Sequence, residues 1–572
     1  MLRLTLLLCL FLIPPAWAGV PVKPRDFAVA SAHPLATAAG IRVLEQGGNA
    51  FDAAITVAAV LGVVEPYSAG IGGGGFWLLQ KGDSPEPVFV DARETAPAAA
   101  SADLYVNAKG EVDRDLAINT ALSAGIPGQP AAFVHLAQHY GKLPLRQTLQ
   151  PAIDAARNGF PVNPVYRALA EMRAPVLQRY ADSQRLFLND GKPFTDTTLI
   201  QQPELAATLE QLADKGFDGF YKGPLAQKLV TGVKAGGGIW TLQDLANYRV
   251  IEREPIRFHY QDALIWSAPP PSSGGIALAQ MFGMLDQFNY AGKNDIDRAH
   301  LLVEVMRRAY RDRAIHLGDP DFHQVPIKHL LNEQYLQDLA ADISGAHATP
   351  SKDLGPVTPP PSGTHTTHLS IIDRDGNRVA ATLSINLPFG SGYTVPGTGV
   401  LLNNEMDDFS AQPGAPNAYG LVGSAANAIA PGKRPLSSMT PTFMEYGPAD
   451  NRQFALIGTP GGSRIITMVF LGLLEALDGK GPQAWVDRPR FHHQFLPDVV
   501  EYEPESFTPA FLQGLEQKDH MLKVTDRPYG DMHVVRWQWK NGLVEAASDR
   551  RRLGYAQVGK EKAAPEKAGS PK

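Results

Sequence analysis

The run Ser362-Gly363-Thr364-His365-Thr366-Thr367-His368-Leu369-Ser370 limits what this chain can fold into more than any other stretch. A proline-rich segment, Gly355 to Pro361, leads into it, and a strand pattern begins at Thr366 with no helix signal between. Thr367 to Ile372 reads as a strand, Asp373-Arg374-Asp375-Gly376-Asn377 as a hairpin turn, and Arg378 to Ile385 as the return strand. Two registers are open. A two-residue Asp375-Gly376 loop sets Thr367 opposite Ser384, whereas a three-residue loop sets Thr366 there. Both bring a hydroxyl beside the threonines. A threonine hydroxyl becomes an effective nucleophile when a base removes its proton, and a residue whose own α-amine has been freed by chain cleavage carries that base. An α-amine with a pKa of about 7.7–8.0 is roughly a tenth neutral at pH 7, against well under a thousandth for a lysine at about 10.4. β-propensity accounts equally well for threonines opening a strand, so the choice rests on the remainder of the chain.

A chain of 572 residues, 44% of them hydrophobic, exceeds what one core usually organises and calls for one very large domain or two closely packed lobes. Its formal charge of −6 argues against general nucleic-acid binding. Arg3, the apolar run Leu4 to Ile13 and the Ala16-Trp17-Ala18 cleavage pattern predict a secretory signal over residues 1–18, too short to span a membrane. Cys9, the one cysteine, lies inside it, so the exported chain has no disulfide, thiol nucleophile or cysteine metal site. A large disulfide-free exported protein fits the bacterial periplasm or exterior.

Helices are expected over Thr37 to Glu45 and Ala53 to Val63. Gly70, Gly72 and Gly75 match a dinucleotide-binding spacing, but a Pro-Tyr-Ser turn precedes them and a strand follows, the reverse of what that site needs. They read as close backbone packing. A strand over Val88 to Val90 delivers Arg93, suited to a bidentate grip on a carboxylate or to an ordinary surface ion pair. From Leu143 to Ala341 the chain reads as mostly helical, with Asp295 to His316 the longest helix. An apolar strand, Gly399 to Leu402, precedes Asn404, Glu405, Asp407 and Asp408, which suit a metal, a cation-binding pocket or a solvated turn. The loop Pro413 to Gly423, with Tyr419, is long enough to close over a site. Gly461-Gly462, opening the helix Ile465 to Leu474, offers backbone N–H groups to a developing oxyanion. His492 and His493 point to opposite faces of a strand, while His365 with His368 and the Asp319, Asp321, His323 triplet lack further ligands; no metal site is expected.

These blocks, together with His33-Pro34-Leu35, Gly47-Gly48-Asn49-Ala50, Gly125-Ile126-Pro127-Gly128, Arg434-Pro435-Leu436-Ser437-Ser438-Met439 and Pro460-Gly461-Gly462-Ser463-Arg464, resemble the γ-glutamyltranspeptidases (glutathione hydrolases) of the N-terminal-nucleophile hydrolase superfamily over nearly the whole chain. The resemblance implies an α/β (α+β) fold, a four-layer αββα sandwich built from both halves of a precursor that cuts itself between His365 and Thr366. It implies a large subunit, 19–365, and a small one, 366–556; the Lys/Glu/Ala/Pro-rich stretch 557–572 reads from its composition as a disordered tail. Thr366 is then the nucleophile, supported by Ser384 where the family carries a second threonine. Arg93, Ser437 and Ser438 take the substrate α-carboxylate, and Asn386, Glu405 and Asp408 take its α-ammonium. Glu405 stands where some members have glutamine. Gly461 and Gly462 form the oxyanion hole, and Tyr419 belongs to a lid. No cofactor is implied. The donors are glutathione and other γ-glutamyl compounds; the acceptors are water, amino acids or dipeptides. Two alternatives remain: an acylase for glutaryl or cephalosporin-type side chains, and an uncleaved amino-acid-binding protein on the same scaffold.

Overall fold

The computed structural model describes residues 21–195, 198–355, 366–410 and 425–559. The expected signal segment, His365, the loop bearing Tyr419 and residues 560–572 lie outside them. In chain order the strands of the two large sheets are β1 (Phe27–Ser31), β2 (Gly74–Gln80), β3 (Val88–Ala92), β4 (Ile251–Arg253), β5 (Ile256–Tyr260), β6 (Ala263–Ser267), β7 (Thr367–Ile372), β8 (Arg378–Ser384), β9 (Thr442–Tyr446), β10 (Gln453–Gly458), β11 (His533–Gln538), β12 (Val544–Ser548) and β13 (Tyr555–Gly559). The first sheet runs β13-β1-β7-β8-β2-β3-β4 and the second β12-β11-β10-β9-β6-β5. Each sheet mixes strands from before and after Thr366, so the fold is complete only with both parts.

Strand alternation sets the layers. Val29, Trp77, Leu369 and Ile371 face a core shared with α1 (Pro34–Glu45) and α2 (Ala50–Val64). Ala28, Ala30, Phe76 and Leu78 face the other way, against Phe443 and Phe454 of the second sheet. That sheet is covered in turn by α3 (Gly274–Leu285), α4 (Asp295–His316) and α5 (Ile465–Leu477). The result is helix, sheet, sheet, helix, as the resemblance implies.

The hairpin β7–β8 lies at the centre of the first sheet and is pinned from beneath by α2. Asn49 and Asp52 form a reciprocal cap that starts this helix. The Asp373 carboxylate in the hairpin turn accepts from the Ala50 N–H at 2.9 Å. At the other end, the Thr367 hydroxyl donates to Glu65 at 3.0 Å. Ile372 pairs with Arg378 and Thr367 with Leu383, leaving a three-residue loop, Arg374-Asp375-Gly376, with Gly376 at φ +85°. Of the two registers open in the sequence, this is the one that continues to Thr366 beside Ser384.

The 143–341 region is mostly helical, as the sequence predicts, but β4, β5 and β6 also fall within it and supply one edge of each sheet. They are three to five residues long; β5, Ile256-Arg257-Phe258-His259-Tyr260, alternates apolar and polar side chains as a strand with one buried face does. Gly399 to Leu402 is no strand; Leu401 makes a single bridge to Thr394. The tail boundary also moves, because Gln557 to Gly559 end β13 and pair with Val29, Ala28 and Phe27 of β1.

Candidate active site

A small cavity opens where the start of β7 meets the N-terminal end of α5. Thr366, Ser384, Asn386, Arg93, Glu405 and Asp408 line it, with Ser437, Ser438 and Gly462 completing the expected set. Gly461 adjoins Gly462. These side chains come from segments hundreds of residues apart, and the sheet order explains why they meet. β7 and β8 carry Thr366 and Ser384, neighbouring β2 and β3 bring Arg93 to the same end, and the glycine run closes the gap between them.

That run permits an approach no side chain would allow. A Cβ on Gly73 would sit 2.2 Å from the Ser384 carbonyl oxygen, and one on Gly72 2.0 Å from that of Leu401. Asn403 ties the same layer together: its Nδ2 donates to the carbonyls of Gly72 and Gly125 at 2.7 and 2.9 Å, and its Oδ1 accepts from the N–H groups of Gly125 and Glu405. The acidic turn is therefore held from behind by side-chain hydrogen bonds and is buried, not solvated.

Thr366 is 4% exposed. Beside it, the Ser384 hydroxyl accepts from the Asn386 N–H at 2.7 Å and fixes Asn386 in a left-handed conformation, φ +72°. The Asn386 Nδ2 donates to the Asn404 carbonyl at 2.9 Å. Gly461, φ +154°, and Gly462, φ +57°, turn the chain into α5; a Cβ on Gly461 would lie 2.3 Å from the Met468 methyl. The Tyr310 hydroxyl holds this turn by donating to the Ser463 carbonyl. The backbone N–H groups here meet the positive end of a 13-residue helix, an arrangement suited to stabilising an oxyanion.

Charge in the cavity is arranged in a buried cluster. Arg93 forms ion pairs with Glu405 and, at 2.6 Å, with Asp408, with Glu94 3.8 Å away. Burial lowers the affinity of Arg93 for its proton, but Glu405, Asp408 and Glu94 more than offset it and hold the guanidinium above its ordinary range. Burial pushes the Glu94 carboxyl well above the usual carboxylate range, reinforced by Glu405. Glu405 itself is pushed up to about 7 by burial, Arg93 opposing. Asp407 turns away to Arg114, 3.0 Å distant. The acids thus form a cation-binding pocket whose present occupant is the Arg93 guanidinium.

Ser463 and Met439, members of the two small-residue blocks, also line the cavity. Two features escape a reading of the sequence. Arg313 of α4 lines the cavity and reaches Ser438. Beneath Thr367, Glu65 accepts from Thr367 and Tyr67, and burial followed by the charge of Asp531 pushes its carboxyl up to about 7. The histidines have structural partners: His368 bonds Thr382 and Ser370, His492 bonds Thr467, and His493 bonds Asp498. Among the described residues no group of three or more His, Cys, Asp or Glu is arranged to hold a metal ion.

Comparison with known proteins adds an independent line. The Gamma-glutamyltranspeptidase family model matches residues 36–559. The glutathione hydrolase proenzyme of Escherichia coli (strain K12) is 40% identical over 557 residues, covering 96% of this chain and 95% of that relative. The glutathione hydrolase proenzyme of Pseudomonas aeruginosa is 40% identical over 546 residues, covering 93% and 94%. Among solved structures, cephalosporin acylase from Bacillus halodurans aligns with a TM-score of 0.82 at 28% identity, covering 96% of this chain and 98% of that one. The Helicobacter pylori gamma-glutamyltranspeptidase aligns at 0.55 and 34% identity, covering 60% and 97%.

Proposed function

The chain belongs to the gamma-glutamyltranspeptidase family, as a self-processing γ-glutamyltransferase and glutathione hydrolase, and we propose that Thr366, freed as a new N-terminus, is its nucleophile. The observation that carries this is the convergence of Thr366, Arg93, the acid pair Glu405 and Asp408, the serine pair and the Gly461-Gly462 turn on one cavity. Cleavage between His365 and Thr366 gives a large and a small subunit, which stay together because β7, β8 and β13 lie among strands of the large one.

In the reaction, the Thr366 α-amine accepts the proton of its own hydroxyl as the Oγ attacks the γ-carbonyl of the donor. The N–H groups of Gly461 and Gly462 receive the oxyanion, a contribution typically worth about 10²–10³ in turnover per donor. The protonated amine then gives its proton to the departing amine, leaving a γ-glutamyl ester on Thr366. Water resolves this ester to glutamate; an amino acid or dipeptide amine resolves it to a new γ-glutamyl amide. The substrate α-ammonium displaces the Arg93 guanidinium from part of its contact with Glu405 and Asp408, and the α-carboxylate takes up the released N–H donors together with Ser437 and Ser438. No step calls for a metal or cofactor.

The likeness to a cephalosporin acylase keeps glutaryl-type donors in view. A glutaryl chain has no ammonium to engage Glu405 and Asp408, so the acid pair favours γ-glutamyl donors. We extend the proposal to export through a signal over residues 1–18; no helix among the described residues is long and apolar enough to cross a membrane. Thr366→Ala tests the reading: it runs as one uncut band on a denaturing gel and releases no p-nitroaniline from γ-glutamyl-p-nitroanilide. A cut and active Thr366→Ala protein refutes it.

A further inference from the structure

We propose that Arg313, not Arg93 alone, supplies the positive charge that makes the cavity accept the α-carboxylate of the donor. The inference rests on the γ-glutamyl reading and assigns that site a second cationic contact.

The two arginines at the cavity differ in what already neutralises them. Arg93 faces Glu405 and Asp408 directly, with Glu94 behind, so its charge is spent within the protein. Arg313 is 4% exposed, lines the same cavity, and has no carboxylate within ion-pair distance among the described residues. Its contacts are hydroxyls: Nε donates to Ser273 Oγ at 3.0 Å, and Nη2 reaches Ser438 Oγ at 3.4 Å. Burial pushes the guanidinium down to about 10, with Tyr310 and Asp408 favouring its charge, so it remains a cation at neutral pH. An enclosed cation without a counter-charge is costly unless the site is built to receive an anion.

Counting charges on the ionised groups makes the same point. Arg93 with Glu405 and Asp408 leaves that cluster net negative, which repels a carboxylate; Arg313 brings the cavity to balance. A zwitterionic donor head then finds two acids for its ammonium and two guanidinium groups for its carboxylate. The hydroxyl network fixes where the second one points. Ser273 Oγ, while accepting from Arg313, donates to the Ser437 carbonyl at 2.8 Å, and the Ser273 N–H donates to the same carbonyl at 2.9 Å. Arg313 therefore braces both members of the serine pair from one side.

The test compares two donors on mature enzyme, γ-glutamyl-p-nitroanilide and 4-aminobutanoyl-p-nitroanilide, which lacks only the α-carboxylate. Arg313→Met should raise KM for the first by about tenfold to a hundredfold, the range for a lost hydrogen bond to a charged group, while changing kcat/KM for the second by less than about threefold. Arg313→Lys should recover part of the loss. Ser273→Ala, which frees Nε and keeps the charge, should produce a smaller loss confined to the same donor. If Arg313→Met does not mature, the lysine and Ser273 variants carry the comparison. Equal losses on both donors in these variants overturn the assignment and make Arg313 a packing residue. A wild-type enzyme that fails to turn over γ-glutamyl-p-nitroanilide sinks the functional reading itself, and the assignment falls with it.

Discussion

Replacing Arg93 by methionine tests the charge arrangement most sharply, and the comparison is cleanest in a Thr366→Ala background, where both proteins stay uncut. In the intact site Arg93 is 1% exposed and its partners Glu405, Asp408 and Glu94 are 2%, 12% and 0% exposed. Methionine fills much of the same volume but leaves two carboxylates without their cation, and breaking a buried pair in this way costs about 3–5 kcal/mol. The pH dependence has a definite sign. Burial already holds Glu405 at about 7 with Arg93 present; without Arg93 its folded-state pKa rises further, while the unfolded value stays at about 4.3. A carboxyl raised in the folded state contributes stability that is full below its unfolded pKa and is lost as pH rises through the folded one. Wild-type Glu405 and the variant's Glu405 are both protonated well below pH 7, so the two proteins differ least there. The gap in melting temperature, followed by calorimetry between pH 6 and pH 8.5 at fixed ionic strength, should widen as pH rises. A gap that is constant with pH, or wider at pH 6, refutes the reasoning that Arg93 acts as counter-charge to Glu405.

Further outcomes follow from single contacts. Gly461→Ala places a Cβ 2.3 Å from the Met468 methyl at a φ of +154°, so the turn must shift; kcat should fall about 10²–10³-fold with KM within a few-fold, read from initial rates on γ-glutamyl-p-nitroanilide. Ser384→Ala removes the acceptor for the Asn386 N–H, a contact worth about 1 kcal/mol, and should slow self-cleavage severalfold on time-resolved gels, with Ser384→Thr restoring it. Gly73→Ala drives a Cβ to 2.2 Å from the Ser384 carbonyl oxygen, backbone that has little room to yield; it should lower the melting temperature and block maturation.

Much of the site was legible because its residues sit in local patterns that have few other uses. The hairpin signal around Asp375-Gly376 located Thr366 and Ser384 together, although it left the register open, since both loop lengths suit that turn; Asp373, bonding Asp375, Asn377 and the start of α2, favours the longer one. The glycine run read as close packing, and Gly72 and Gly73 do pack directly on the strand and turn that hold the site. Arg313 was illegible for the opposite reason. It lies in the run Arg307, Arg308, Arg311, Arg313 on a helix whose charges cover every face, a pattern that ordinarily means solvent. Yet Arg307, Arg308 and Arg313 are all buried, and each reaches outside the helix, to Ser351, Asp342 and Ser273, partners that no local window contains. Glu65 escaped in the same way: its partner Thr367 is 302 residues away. β5 and β6 carry a legible hairpin pattern, alternation over Ile256 to Tyr260 followed by a Gln261-Asp262 turn, whereas β4, three residues long, is set by its pairing with β3.

The central claim is that one hydroxyl residue becomes a chain terminus and serves as both nucleophile and base. Intact-mass and N-terminal peptide mass spectrometry of purified protein with measured γ-glutamyl turnover examines it most directly. The account predicts a fragment beginning at Thr366, in an amount that tracks activity through maturation. Full turnover in a sample with no new terminus at position 366 would contradict it.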